Sequence, residues 1–65
     1  MELKNRVKEL RARYNLNQTE LAKSVGVSRQ TIGQIEKGDY SPSVLLALKI
    51  AKTLNTTVDE VFYIV

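Results

Sequence analysis

Arg29, Gln30 and Gln34 are the residues whose types and spacing carry the clearest chemistry in this chain. At helical spacing they project, with Gly33 and Lys37, away from the side that holds Ile32 and Ile35. An Arg fork matches the O6 and N7 of guanine, and a Gln amide matches the N6 and N7 of adenine. A helix with Arg and Gln in its first turn, and a second Gln one turn on, suits the reading of base edges in a major groove. The plainer account of the same side chains is ordinary surface polarity. Other chemistry is thinly supplied. The chain has no Cys and no His, so thiolate metal sites, disulfides and the commonest general base are all missing. Its three glycines are isolated, whereas a phosphate-cradling loop would cluster them. The carboxylates stand scattered among basic partners, with no pair set up for acid–base work. Ser and Thr fall mainly at helix starts, where capping accounts for them. No catalytic activity, metal or cofactor is expected.

The elements that must hold this face read as short helices separated by tight turns. Leu3, Val7, Leu10 and Tyr14 recur at helical spacing and predict a first helix over about residues 3–14. Asn17 with Glu20 is a capping-box-like start for a second helix, with Leu21, Ala22 and Val25 inward and Gly26 as its left-handed stop. Ser28 caps the next helix, residues 29–37, which buries Ile32 and Ile35 and stops at Gly38. Two short helices joined by Val25-Gly26-Val27-Ser28 have the layout of a helix-turn-helix at about residues 18–37. Pro42 and Ser43 open a fourth helix, capped by Ser41 or Ser43, with Val44, Ala47, Leu48, Ala51 and Leu54 on one stripe. Leu45 is left over, for solvent or for a dimer contact. Thr57 with Glu60 reads as another capping box, opening a last short helix with Val58 and Val61. The tail Phe62-Tyr63-Ile64-Val65 is aromatic and β-branched, which favours a strand. That strand needs a partner, either Met1-Glu2-Leu3-Lys4 or the same tail of a second subunit.

Length and charge bound the rest. With 65 residues the chain reads as one domain over residues 1–65. A chain this short buries only about 60% of its unfolded surface. Lacking Cys and His, it has self-association left as added support, and an apolar tail over about residues 58–65 to provide it. The net charge is +3, unevenly placed. Lys4, Arg6, Lys8, Arg11, Arg13, Lys23 and Arg29 face only Glu9 and Glu20 over the same stretch. A basic half suggests an anionic partner, although Lys8, Arg13 and Lys23 read more simply as a solvated face. Apolar stretches fall far short of the ~20 residues of a membrane span, and no signal-peptide pattern stands at the N-terminus. The expectation is a soluble, cytoplasmic, nucleoid-associated protein with no membrane contact.

The runs Asn17-Gln18-Thr19-Glu20-Leu21-Ala22, Val25-Gly26-Val27-Ser28-Arg29-Gln30-Thr31-Ile32 and Ile35-Glu36-Lys37-Gly38 resemble the Cro/cI-type (XRE-type) helix-turn-helix regulators. Pro42-Ser43 and Ile50-Ala51-Lys52-Thr53-Leu54 continue the match, which covers about residues 7–62. Length and tail also resemble the short homodimeric repressors of the cytolysin-repressor type. The resemblance implies an all-α, five-helix, lambda-repressor-like DNA-binding domain with a small terminal β-ribbon. It implies a transcriptional regulator, more often a repressor, that binds a pseudo-palindromic operator in double-stranded DNA as a homodimer. On this likeness Arg29, Gln30 and Gln34 fall on base-reading positions. Gln18, Ser28, Thr31, Lys37, Tyr40 and Ser41 fall near the DNA backbone, Gln18 having simple first-turn polarity as its plainer reading. Arg11 and Glu36 fall on the family's inner charge pair. Phe62, Tyr63, Ile64 and Val65, with Leu45, are the expected dimer contacts. The loop Asp39-Tyr40-Ser41-Pro42-Ser43 departs from basic family members, having an acid and no Lys or Arg. Two rival roles keep the same fold: an antitoxin that also masks a toxin, and a protein-interaction module without DNA binding. No small-molecule effector is evident.

Overall fold

Local stop and start signals set most of the helix boundaries. The computed structural model describes all 65 residues. In chain order the elements are β1 (Leu3–Asn5), α1 (Val7–Arg13), α2 (Gln18–Val25), α3 (Arg29–Lys37), α4 (Val44–Thr53), α5 (Val58–Val61) and β2 (Phe62–Ile64). At the head of α2, the Asn17 side chain accepts from Glu20 N–H and the Glu20 side chain accepts from Asn17 N–H, a complete capping box. Ser28 caps α3 and Ser43 caps α4, which decides between Ser41 and Ser43. Gly26 and Gly38 end α2 and α3 at φ 78° and 83°, where a Cβ would be strained. After α1 and α4 the same left-handed turn is made by Asn15 and Asn55, at φ 55° and 56°, Asn being the next best residue for it.

The first helix begins at Val7, not at Leu3. Leu3–Asn5 instead forms an antiparallel ribbon with Phe62–Ile64, in register Leu3↔Ile64, Lys4↔Tyr63 and Asn5↔Phe62. The tail therefore finds its partner in its own chain. Beyond the ribbon proper, Glu2 N–H donates to Val65 O and Val65 N–H donates to Glu2 O, at 2.9 and 3.0 Å. Asn5 marks the switch from strand to helix. Its Oδ1 accepts from Val7 N–H at 3.1 Å, while its Nδ2 donates to the Ile35 carbonyl near the end of α3 at 3.0 Å. Arg6 ties the head of α1 to both α5 and β2. Its Nη1 donates to Glu60 O, and its guanidinium lies 4.2 Å from the centre of the Tyr63 ring. Leu3 and Tyr14, which share the helical spacing of Val7 and Leu10, are both exposed.

The core contains only apolar side chains, with Leu21, Ile32, Ile35, Ile50, Leu54, Val7 and Val61 the largest that are fully buried. Helix α4 turns a different stripe inward from the expected one. Leu46, Ala47, Ile50, Ala51 and Leu54 are buried, whereas Val44 is 77% and Leu48 53% exposed. Three consecutive apolar residues open α4, and packing against α2 and α5 selects Leu46 over its neighbours. Thr57 has the extended backbone of an N-cap, but its side chain makes no capping bond. Helix α5 is a single turn, tied by backbone bonds from Glu60 and Val61 N–H to Thr57 O. The architecture is thus all-α, five helices around one core, closed by a two-stranded sheet.

Candidate nucleic-acid interface

Three residues, Gly26, Val27 and Ser28, turn the chain from α2 into α3. Val27 N–H donates to Ala22 O at 3.0 Å, closing the turn. Ser28 Oγ accepts from Thr31 N–H at 3.2 Å and lies 3.0 Å from the Thr31 hydroxyl. Ile32 and Ile35 then anchor α3 in the core. Anchoring on that side leaves Arg29, Gln30, Gln34 and Lys37 exposed together on the other. The face is therefore rigid in its backbone and open in its side chains. Ser28 is exposed and Thr31 half-buried at the head of α3, while Tyr40 and Ser41 are exposed in the loop that follows it.

Gly33 lies among these residues, and a Cβ built there would meet only Gln18 Nε2, at 3.8 Å. That is ordinary van der Waals contact, so packing does not require glycine. Gly33→Ala is expected to raise stability by about 0.5–1 kcal/mol, the helix-propensity difference. A thermal melt checks it, and a lower melting temperature would show that the position needs glycine for the free fold.

Arg11 and Glu36 tie α1 to the end of α3. Arg11 Nε donates to Glu36 Oε2 at 2.6 Å and Nη2 donates to Oε1 at 3.1 Å, a bidentate pair with side chains only 12% and 9% exposed. Arg11 Nη1 also donates to Leu16 O at 2.9 Å. Gln18 joins this group: its Nε2 donates to Glu36 Oε1 at 3.0 Å, and its Oε1 accepts from Arg29 Nη1 at 3.1 Å. Arg11, Glu36, Gln18 and Arg29 thus form one hydrogen-bonded chain across α1, α2 and α3. Sequence reasoning singled out all four residues but not the two bonds made by Gln18. The only signal for them was the shared polarity of Gln18 and Arg29 at the starts of adjacent helices.

The expected dimer residues fall into two groups. Phe62 is 9% exposed and packs in its own subunit's core, and Tyr63 is half-buried beneath Arg6. Ile64, Val65 and Leu45 are exposed. Exposed apolar surface that the sequence reading did not assign to a dimer adds Leu3, Val44 and Leu48. Leu3, Val44 and Leu48 line a groove floored by Ala47 and Phe62 and walled by Pro42 and Val58.

A helix-turn-helix within a five-helix fold, with a polar, donor-rich recognition face, defines a lambda-repressor-like DNA-binding domain. The chain belongs to the helix-turn-helix family HTH_3, whose model matches residues 7–61. It is 55% identical over 62 residues to YgzD of Bacillus subtilis (strain 168), described as an uncharacterized HTH-type transcriptional regulator, covering 95% of this chain and 94% of that protein. A regulator described in the same way from Methanocaldococcus jannaschii is 53% identical over 60 residues, covering 92% and 91%. Among solved structures, the restriction-modification controller protein C.AhdI from Aeromonas hydrophila superposes with a TM-score of 0.79 at 34% identity, over 85% of this chain and 83% of that one. The P22 c2 repressor in complex with a synthetic operator gives 0.80 at 31% identity, over 83% and 82%. The protein is a DNA-binding transcriptional regulator and not an enzyme. No helix is long and apolar enough to cross a membrane.

Proposed function

We propose that the protein is a sequence-specific repressor that binds a pseudo-palindromic operator as a homodimer, one recognition helix α3 entering each of two successive major grooves. The observation that carries this reading is the exposed face of α3, where Arg29, Gln30 and Gln34 stand on a helix fixed by Ser28, Ile32, Ile35 and Gly38. Arg29 pairs with guanine and the two Gln amides with adenine. Gln18, Ser28, Thr31, Lys37, Tyr40 and Ser41 grip the phosphates on either side of α3, with the N-terminal N–H groups of α2 and α3 adding their dipoles. The similarity to an operator-bound repressor supports the same mode of docking.

The second subunit covers the exposed apolar surface of Leu3, Val44, Leu45, Leu48, Ile64 and Val65. A two-fold axis brings the same patch of each copy together and repeats α3 one helical turn of DNA away. Selection of bound sequences from random DNA tests the whole reading. The expected result is two inverted half-sites about 10–10.5 bp apart, centre to centre. A set of bound sequences without a motif would overturn sequence recognition, and a single unrepeated motif would overturn the dimer. Light scattering should give twice the chain mass, and Leu48→Glu should halve it by placing a charge in the apolar contact. A wild-type monomer at micromolar concentration would remove the dimer from the proposal.

A further inference from the structure

We infer that Glu36 has a second task beyond its ion pair: through Gln18 it fixes the direction of Arg29, and so sets base preference at the position Arg29 reads. The inference rests on the base-reading role proposed above for Arg29. A primary amide has an acceptor end and a donor end. The Glu36 carboxylate only accepts, and it takes N–H groups from Arg11 and from Gln18 Nε2, the latter at 3.0 Å. With Nε2 committed to Glu36, Gln18 faces Arg29 with its oxygen, which accepts from Nη1 at 3.1 Å. A turned amide would set oxygen against carboxylate and N–H against guanidinium, two repulsive contacts in place of two attractive ones. The polarity of the amide is therefore dictated from α3, by a residue one side of which is bound to α1.

The result for Arg29 is preorganisation. Arg29 is exposed and Gln18 half-buried, so the anchored partner restrains the free one. An Arg has five N–H donors; one is spent on Gln18, and the rest remain for a guanine edge. The second hydrogen of Gln18 Nε2 remains for a phosphate. Contact with the DNA backbone and positioning of Arg29 thus use different atoms of the same amide. Gln18 and Glu36 are positioning residues, and Arg29 is the one that touches the base.

The test is selection from random DNA with wild type, Arg29→Ala, Gln18→Ala and Glu36→Gln, folding being followed by circular dichroism. Arg29→Ala should lower preference at one base pair of each half-site by roughly fivefold or more, the scale of one bidentate base contact. Gln18→Ala should lower preference at that same base pair by roughly 2- to 12-fold, the scale of one long side chain left to be ordered on binding, with the other positions unchanged. Glu36→Gln should shift the same base pair in the same direction. Where Glu36→Gln does not fold, Gln18→Leu, which fills similar space but offers Glu36 no donor and Arg29 no acceptor, should produce the same change. Uniform weakening across all sequences in Gln18→Ala would mark a phosphate contact alone and overturn the inference. A wild-type profile in Gln18→Ala would also overturn it, while leaving Arg29 as a base reader if Arg29→Ala has lost its position. A wild-type profile in folded Glu36→Gln would remove Glu36 from the relay. An unchanged profile in Arg29→Ala would overturn the base-reading role itself and the relay with it.

Discussion

Glu36→Ala is expected to cost about 3–5 kcal/mol, the usual penalty for leaving one member of a buried ion pair without its partner. Arg11 would lose both bonds to the carboxylate while keeping only its bond to Leu16 O. Gln18 would lose the acceptor that orients it. A chain of 65 residues has a total stability on the order of 3–10 kcal/mol, so this one change removes a large share of it. Urea unfolding followed by far-ultraviolet circular dichroism measures the loss. The double variant Arg11→Met/Glu36→Leu should recover most of it, because an apolar pair of similar volume carries no desolvation penalty. A cost below about 1 kcal/mol for Glu36→Ala would place the pair with exposed surface bridges and contradict its nearly complete burial.

The other large effect falls on recognition, with the fold untouched. Gln30 and Gln34 are exposed on α3 and contribute nothing to the core. Each bidentate base contact discriminates by about 1–3 kcal/mol, so Gln30→Ala/Gln34→Ala should lose roughly 30- to 10⁴-fold of the preference for operator over unrelated DNA, if the two sites add. Competition gel shifts read this ratio. Neither residue is charged, so the dependence of binding on salt should stay as in wild type. Lys37→Ala should do the reverse: operator preference is kept, and the slope of log affinity against log salt falls by about 0.9, one phosphate contact. Wild-type discrimination in the double Gln variant would refute base reading by this face.

What the sequence made legible was what is decided locally. The boundaries of α2 and α3 follow from Asn17 with Glu20, from Gly26, Ser28 and Gly38, each acting within four residues of itself. The exposed face of α3 follows from Ile32 and Ile35 by the helical period alone. The start of α1 did not, because Leu3 keeps helical spacing with Val7 while its actual partner, Ile64, lies at the far end of the chain. A strand that pairs non-locally leaves no periodic trace in so short a segment. The inward stripe of α4 was ambiguous for a related reason. Val44, Leu45 and Leu46 are equally apolar, and only the neighbouring helices select Leu46. At Thr57 the residue pattern of a capping box was present, yet α5 is one turn long and forms with backbone bonds alone. The chain from Arg11 to Arg29 was least visible. Its members were each noted, but their connection depends on which end of one amide faces a carboxylate, and spacing does not encode that.

The pairing of β1 with β2 also decides how the molecule answers to force. Glu2 and Val65 face each other at the open end of the ribbon, so tension applied between the two ends loads its hydrogen bonds one after another, like a zip. A parallel arrangement would have loaded them all at once. Under a tether such as an optical trap, the ribbon should therefore part first and at low force. The helices would follow only later. Asn5 holds the carbonyl of Ile35 from the closed end of the ribbon, so once the ribbon has parted, this bond is where tension first passes to α3.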